Sequence, residues 1–142
     1  MDSFILDENI PVMYVNADRF PEGIESAFET LHRTIPQREN RRYFGISRPE
    51  NGVIQYRAAA EIFDDEDAVS LGLPSMRIKG GSYNTYYIKD YREKTEAIGE
   101  CFQLLLGQAE VDPDGYCVEW YIGPNDVKCM VRCNDENYPV DQ

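Results

Sequence analysis

The chain is short of the residues from which metal and redox centres are built. Its 142 residues include four cysteines and one histidine. Cys101, Cys117, Cys129 and Cys133 fall in no CxxC spacing, and His32 lies far from them in sequence, which argues against a zinc site. Thiols without a disulfide framework read as the reduced cysteines of a cytoplasmic protein. Basic residues are scarce too: 14 Lys and Arg stand against 26 Asp and Glu, a formal charge of −12. Phosphate backbones need a basic surface, so direct nucleic-acid binding is not expected. No apolar run is long enough to cross a membrane. The start, Met1 to Glu8, has neither a basic region nor a long apolar stretch, so it does not read as a signal peptide. No Ser–His–Asp or Cys–His arrangement stands out, and no cofactor is expected.

What the chain has is aromatic residues, including ten tyrosines and six phenylalanines. Tyrosine joins a flat apolar body to a polar tip, which suits a binding cleft, although most single tyrosines simply pack at sheet edges. The surplus acid favours solubility and attracts cationic solutes.

The pattern predicts an α+β fold. Ile10 to Val15 reads as a strand, with Pro11 marking an edge or a strand start. A helix follows, with Pro21 in its first turn and Ile24, Ala27, Phe28 and Leu31 on one face, and Pro36 ends it. Tyr43–Arg48 and Val53 to about Phe63 form a hairpin around Pro49-Glu50-Asn51-Gly52. Residues 64–74 make an acidic linker without EF-hand spacing. Met76 to Ile88 is a β segment broken at Gly80-Gly81. Ala97, Ile98, Cys101, Phe102 and Leu105 then define a second helix, stopped near Gly107. Cys117–Ile122, the turn Gly123-Pro124-Asn125-Asp126 and Val127 to Cys133 form a closing hairpin.

An offset of 74 carries Ile98, Cys101, Phe102 and Leu105 onto Ile24, Ala27, Phe28 and Leu31. It also carries the second turn onto the first and Tyr86 onto Val12. The expectation is one domain made of two strand–helix–strand–strand units related by a pseudo-twofold axis. The first unit spans about 10–63 and the second about 75–134, with a tail at 135–142. A trough between such units is a common place for a small-molecule site.

If Ile122 faces Val127 across a four-residue turn, Glu119 stands opposite Met130. One hairpin face then carries Val118, Trp120, Ile122, Val127, Cys129 and Val131 for the core. The other carries Cys117, Glu119, Tyr121, Lys128, Met130 and Arg132, outward or into a cleft. Two readings of Glu119 stay open. It grips a cationic or polar organic molecule, or it makes ordinary cross-strand pairs with its diagonal neighbours Lys128 and Arg132. On the first hairpin, Tyr43, Ile54, Tyr56, Ala58 and Ala60 share a face. Either the tyrosines wall a cleft in which Gly45, Ala58 and Ala60 leave room, or Tyr56, Ala58 and Ala60 lie under the helix.

Phe20-Pro21-Glu22-Gly23-Ile24, Tyr43-Phe44-Gly45-Ile46-Ser47, Tyr56-Arg57-Ala58-Ala59-Ala60-Glu61, Gly81-Ser82-Tyr83 and Val118-Glu119-Trp120-Tyr121 carry a resemblance. In that order and spacing they resemble the GyrI-like small-molecule-binding domain. That domain is also met as the effector-binding domain of AraC-type and multidrug-responsive transcription regulators. The resemblance runs from about Ile10 to Cys133. It implies a tandem repeat with an aromatic-lined cleft, and a strand-borne glutamate, here Glu119, contacting cationic hydrophobic ligands. No segment matches the DNA-binding helix-turn-helix of many relatives, so a stand-alone form is implied.

The leading expectation is a non-enzymatic module that captures a small organic molecule through Glu119, Tyr121, Tyr43, Tyr56, Ala58 and Tyr86. The second is a hydrolase of a reactive small molecule, with Glu119 as base and Tyr121 or Tyr56 assisting. The third is an acidic module that sequesters a protein partner.

Overall fold

The two longest stretches of alternating residues in the first half, Tyr43–Glu50 (β3) and Val53–Glu61 (β4), meet at a tight turn. Glu50 pairs with Val53, and the two residues between them, Asn51 (φ 53°) and Gly52 (φ 80°), both take positive φ. That is a type I′ turn, whose twist matches the strands it joins. The computed structural model in which this turn is seen describes residues 1–134, and the expected tail at 135–142 lies outside the described residues.

The remaining strands are Asp2–Leu6 (β1), Ile10–Asn16 (β2), Ser75–Ile78 (β5), Gly81–Ile88 (β6), Cys117–Ile122 (β7) and Asp126–Arg132 (β8). All eight join one antiparallel sheet, curled into a half-barrel, in the order β1-β6-β8-β7-β3-β4-β2-β5. The order reads the same from either end when β1 to β4 are exchanged with β5 to β8. The seam is the β3–β7 pair, where Gly45 stands opposite Glu119.

Two helices, Ile24–Thr34 (α1) and Thr95–Leu106 (α2), cover the outer side. Ala27 and Leu31 of α1 sit over Met13, Ala58 and Ala60. The alanines let the helix approach the sheet closely. Phe102 and Leu105 of α2 sit over Ile88, Val127, Cys129 and Val131. The opposite side of the sheet closes on its own core of Leu6, Val12, Phe44, Ile46, Ala59, Val118 and Met130. Residues alternate across a strand, so each strand serves both cores.

Several expectations need correction. Pro21 lies in the turn before α1 rather than in its first helical turn. The far end of the helix is as expected: it stops at Thr34 with Ile35 extended, because the residue before Pro36 is sterically pushed out of the helical region. Strand β4 ends at Glu61, and β1, built from the segment weighed only as a leader, was missed. The most consequential correction concerns register. Ile122 pairs with Asp126, so the second turn has a three-residue loop with Gly123 at φ 60°. Tyr121 therefore faces Val127, and Glu119 faces Cys129 instead of Met130. A slip of one residue moves a whole strand's side chains to the other face. Lys128 and Arg132 thus leave Glu119's face, and Val127, Cys129 and Val131 join it.

The helix-to-sheet contact can be tested on α1. Leu31 is fully buried and Leu104, on α2, is 55% exposed. Leu31→Ala should cost about 2–5 kcal/mol in urea denaturation, and Leu104→Ala no more than about 0.5 kcal/mol.

Candidate functional site

At the seam, six residues line up across six strands: Val15, Ala58, Gly45, Glu119, Cys129 and Tyr86. They share the helix-facing side of the sheet. Tyr56 sits one step along β4 and leans across β3 towards β7. Gly45 makes that crossing possible: a Cβ on it would stand 1.9 Å from the Tyr56 hydroxyl and 2.6 Å from Cζ of the ring. Real Cβ contacts do not come so close, so any side chain there displaces Tyr56.

Across the glycine, Tyr56 reaches the carboxylate. Its hydroxyl donates to Glu119 Oε1 at 3.2 Å, and the Tyr121 hydroxyl donates to the same oxygen at 2.5 Å. The two hydroxyls lie 3.1 Å apart. Oε2 carries neither bond. Glu119 is only 8% exposed. Among the described residues the ion pairs involve Arg38, Arg41, Arg42, Arg48 and Arg132, and none reaches Glu119. Lys128 lies across the sheet, with Nζ 3.7 Å from the centre of the Phe4 ring, and Arg132 pairs with Asp112. The cross-strand salt bridge weighed for Glu119 is therefore absent from the described residues, because the register puts its intended partners on the far face.

Burial raises the Glu119 pKa above the ordinary carboxyl value, and the two tyrosine hydroxyls offset part of that rise. Burial likewise pushes Tyr121 and Tyr56 upward, reinforced by the neighbouring carboxylate charge. For an acid with a raised pKa, the folded state binds its proton more tightly than the unfolded chain does. Glu119 therefore favours folding most below its unfolded pKa, and the contribution is lost as pH rises through the folded value. An isolated charge is held here where water would serve it better.

Aromatic rings roof this carboxylate. Phe28 of α1 forms T-shaped pairs with Tyr121 at 5.5 Å between centroids and with Tyr56 at 6.4 Å. Tyr91, in the short turn ahead of α2, lies 5.6 Å from Tyr121, and Phe20 stacks on Tyr56 at 5.9 Å. The site thus draws on both halves of the chain.

Known structures share this fold. An integron cassette protein from the mobile metagenome of Vibrio cholerae superposes with a TM-score of 0.63 at 10% identity, over 93% of this chain and 94% of that one. SAV2435, solved bound to tetraphenylphosphonium, gives 0.60 at 8% identity, over 94% of each chain. A hydrolase from Listeria innocua gives 0.59 at 9% identity, over 93% of this chain and 90% of that one. No family model matches the chain, and no curated protein does. At such identities the likeness is one of fold.

Of the residues singled out in the sequence, Glu119, Tyr121 and Tyr56 are in hydrogen-bond contact. Ala58 lies in the same row but is fully buried under α1, which settles its facing in favour of the helix. Tyr86 is opposite Cys129 and packs into the α2 core. Tyr43 is paired with Tyr121, and its ring lies 5.0 Å from His32. Phe28, Tyr91 and Phe20 were not singled out for the site. Phe28 carried a signal, since it closes a helix face otherwise made of smaller residues, but Tyr91 sits in a polar stretch with none.

Gly45→Ala should destabilise the protein by about 1–3 kcal/mol through overpacking. In a Tyr56→Ala background, where the space is clear, the same change should cost at least about 0.5 kcal/mol less. Urea denaturation of the four proteins measures both quantities, and equal costs in the two backgrounds would mean that Gly45 does not serve to admit Tyr56.

Proposed function

We propose that this protein captures a small organic cation with an aromatic or otherwise apolar body. The observation that carries the reading is the Glu119 carboxylate, buried among tyrosine and phenylalanine rings with no basic side chain in ion-pair contact among the described residues. A carboxylate in such a place gains most from a cation that arrives with its own apolar cover, and the ring faces add cation–π attraction. The ligand would displace rings of the roof, Phe28 or Phe20, and meet Oε2, the oxygen that carries neither tyrosine bond.

The GyrI-like resemblance belongs to the same proposal. Its support is the palindromic strand order, which fits a tandem duplication, and a fold shared with a protein solved in complex with tetraphenylphosphonium. Tyr43 and Tyr86 would flank the ligand, and Ala58 would form part of the support under α1. The two units of this single domain would meet at β3 and β7, which places Glu119 at their junction.

A second reading has one observation behind it. Glu119 has a raised pKa and a tyrosine hydroxyl 2.5 Å away, as a general base with an assisting acid would have. One of the proteins sharing the fold is a hydrolase.

Calorimetric titration with tetraphenylphosphonium separates the outcomes. The parent should bind, and Glu119→Gln should bind at least about tenfold more weakly, which corresponds to about 1.4 kcal/mol. Tetraphenylmethane derivatives bearing no charge should bind parent and variant alike. Equal affinity of both proteins for the cation would overturn the proposal. Turnover of an ester or epoxide panel, lost in Glu119→Gln, would replace it with the hydrolytic reading.

A further inference from the structure

Carboxylates in this protein are held in two ways. Glu66 meets Arg41 as a fork: Nη1 donates to Oε1 and Nη2 to Oε2, each at 2.7 Å. Glu61 meets Arg42 likewise, with Nε reaching Oε1 at 3.1 Å and Nη2 reaching Oε2 at 2.7 Å. Each pair engages both oxygens, because a guanidinium presents parallel N–H bonds at the spacing of a carboxylate. Glu119 is not open to such a fork.

A carboxylate oxygen has two lone pairs and so accepts two hydrogen bonds. On Glu66 Oε1 these come from Arg41 and from the backbone N–H of Phe63 at 3.0 Å. On Glu119 Oε1 they come from Tyr56 and Tyr121. Neither hydroxyl has room to step aside. Tyr56 is 1% exposed and lies against Gly45, while Tyr121 is packed on Phe28 and Tyr91. The two hydroxyl oxygens already stand 3.1 Å apart. One carboxylate oxygen is therefore full and fixed in place, and Oε2 is the atom a ligand meets.

From this geometry we infer that the site selects its ligand by the shape of the cationic head. It takes a head that makes a one-point contact, a quaternary onium or a tertiary ammonium, and rejects the forked head of a guanidinium or amidinium. The inference rests on the reading of Glu119 as a cation site and narrows the class of ligand. A guanidinium seated on Oε2 alone gives up the second bond of its fork, while its other N–H groups leave water for a wall of rings. A quaternary head carries no N–H to leave unpaired, and its diffuse charge is met by Oε2 and the ring faces together. By filling Oε1, the tyrosines decide which cations fit.

The probes are (1-naphthylmethyl)trimethylammonium and 1-naphthylmethylguanidinium, which share a ring and a linker and differ in the head. In calorimetric titrations of the full chain, the trimethylammonium should bind at least about tenfold more tightly. Tyr121→Phe opens one lone pair of Oε1 to the fork and should narrow that ratio to about threefold or less. Tyr56→Phe opens the other and should act in the same direction, so the test survives if one variant fails to fold. Both probes meet the same variant, so a change in the affinity of Glu119 for its proton acts on them alike. Equal binding of the two heads by the parent, or tighter binding of the guanidinium, with Glu119→Gln weakening both, would overturn the inference and leave the cation site standing. So would a ratio that neither tyrosine variant narrows. Failure of both probes to bind, or affinities that Glu119→Gln leaves unchanged, would remove the cation site itself and this inference with it.

Discussion

Two tyrosine hydroxyls meeting on one oxygen of Glu119 is the contact around which the seam between β3 and β7 is arranged. The carboxylate comes from β7, one hydroxyl from the same strand, and the other from β4, two strands away. They meet only because β3, the strand between, has no side chain at Gly45. The rings that bring the hydroxyls also exclude water and set the carboxyl's affinity for its proton. The same residues therefore supply the packing and the chemistry.

That arrangement is costly in one respect and useful in another. A buried carboxylate with only neutral donors is less well served than one in water, and the raised pKa of Glu119 expresses the deficit. Elsewhere the protein pairs its buried charge. Glu66 receives two bonds from Arg41 and is held down to about 2, and Asp112 is paired with Arg132. Glu119 differs from these acids in having no such partner among the described residues. A cation placed beside such a carboxylate would recover that deficit as binding energy.

Much of this was legible in the residues. Helical spacing in Ala27, Phe28 and Leu31 located α1, and the Gly80-Gly81 break divided β5 from β6 at the right place. Glu119, Tyr121 and Tyr56 could be named because alternation puts Glu119 and Tyr121 on one face, whatever the partner strand does. The partner strand was the weak point. Gly-Pro-Asn-Asp reads equally well as a three- or a four-residue connection, and that single residue decides whether Lys128 and Arg132 neutralise the acid. Facing on the first hairpin was ambiguous for another reason. Both sides of β3 and β4 contribute to a core, one under α1 and one in the inner core, and the inner side also carries Gln55 and Arg57, so its polar residues pointed away from the burial it has. Tyr91 reaches the site through a turn whose position depends on the packing of α2, and no local pattern announces that.

The central claim is that Glu119 is a buried acid waiting for a cation. Its carboxyl ¹³C resonance, followed through a pH titration with and without tetraphenylphosphonium, tests that directly. The free protein should titrate above the ordinary glutamate value. The complex should titrate lower than the free protein, because a bound cation favours the ionised form and ligand uptake then releases a proton. A resonance that titrates like an exposed glutamate, and is unmoved by the cation, would contradict the account.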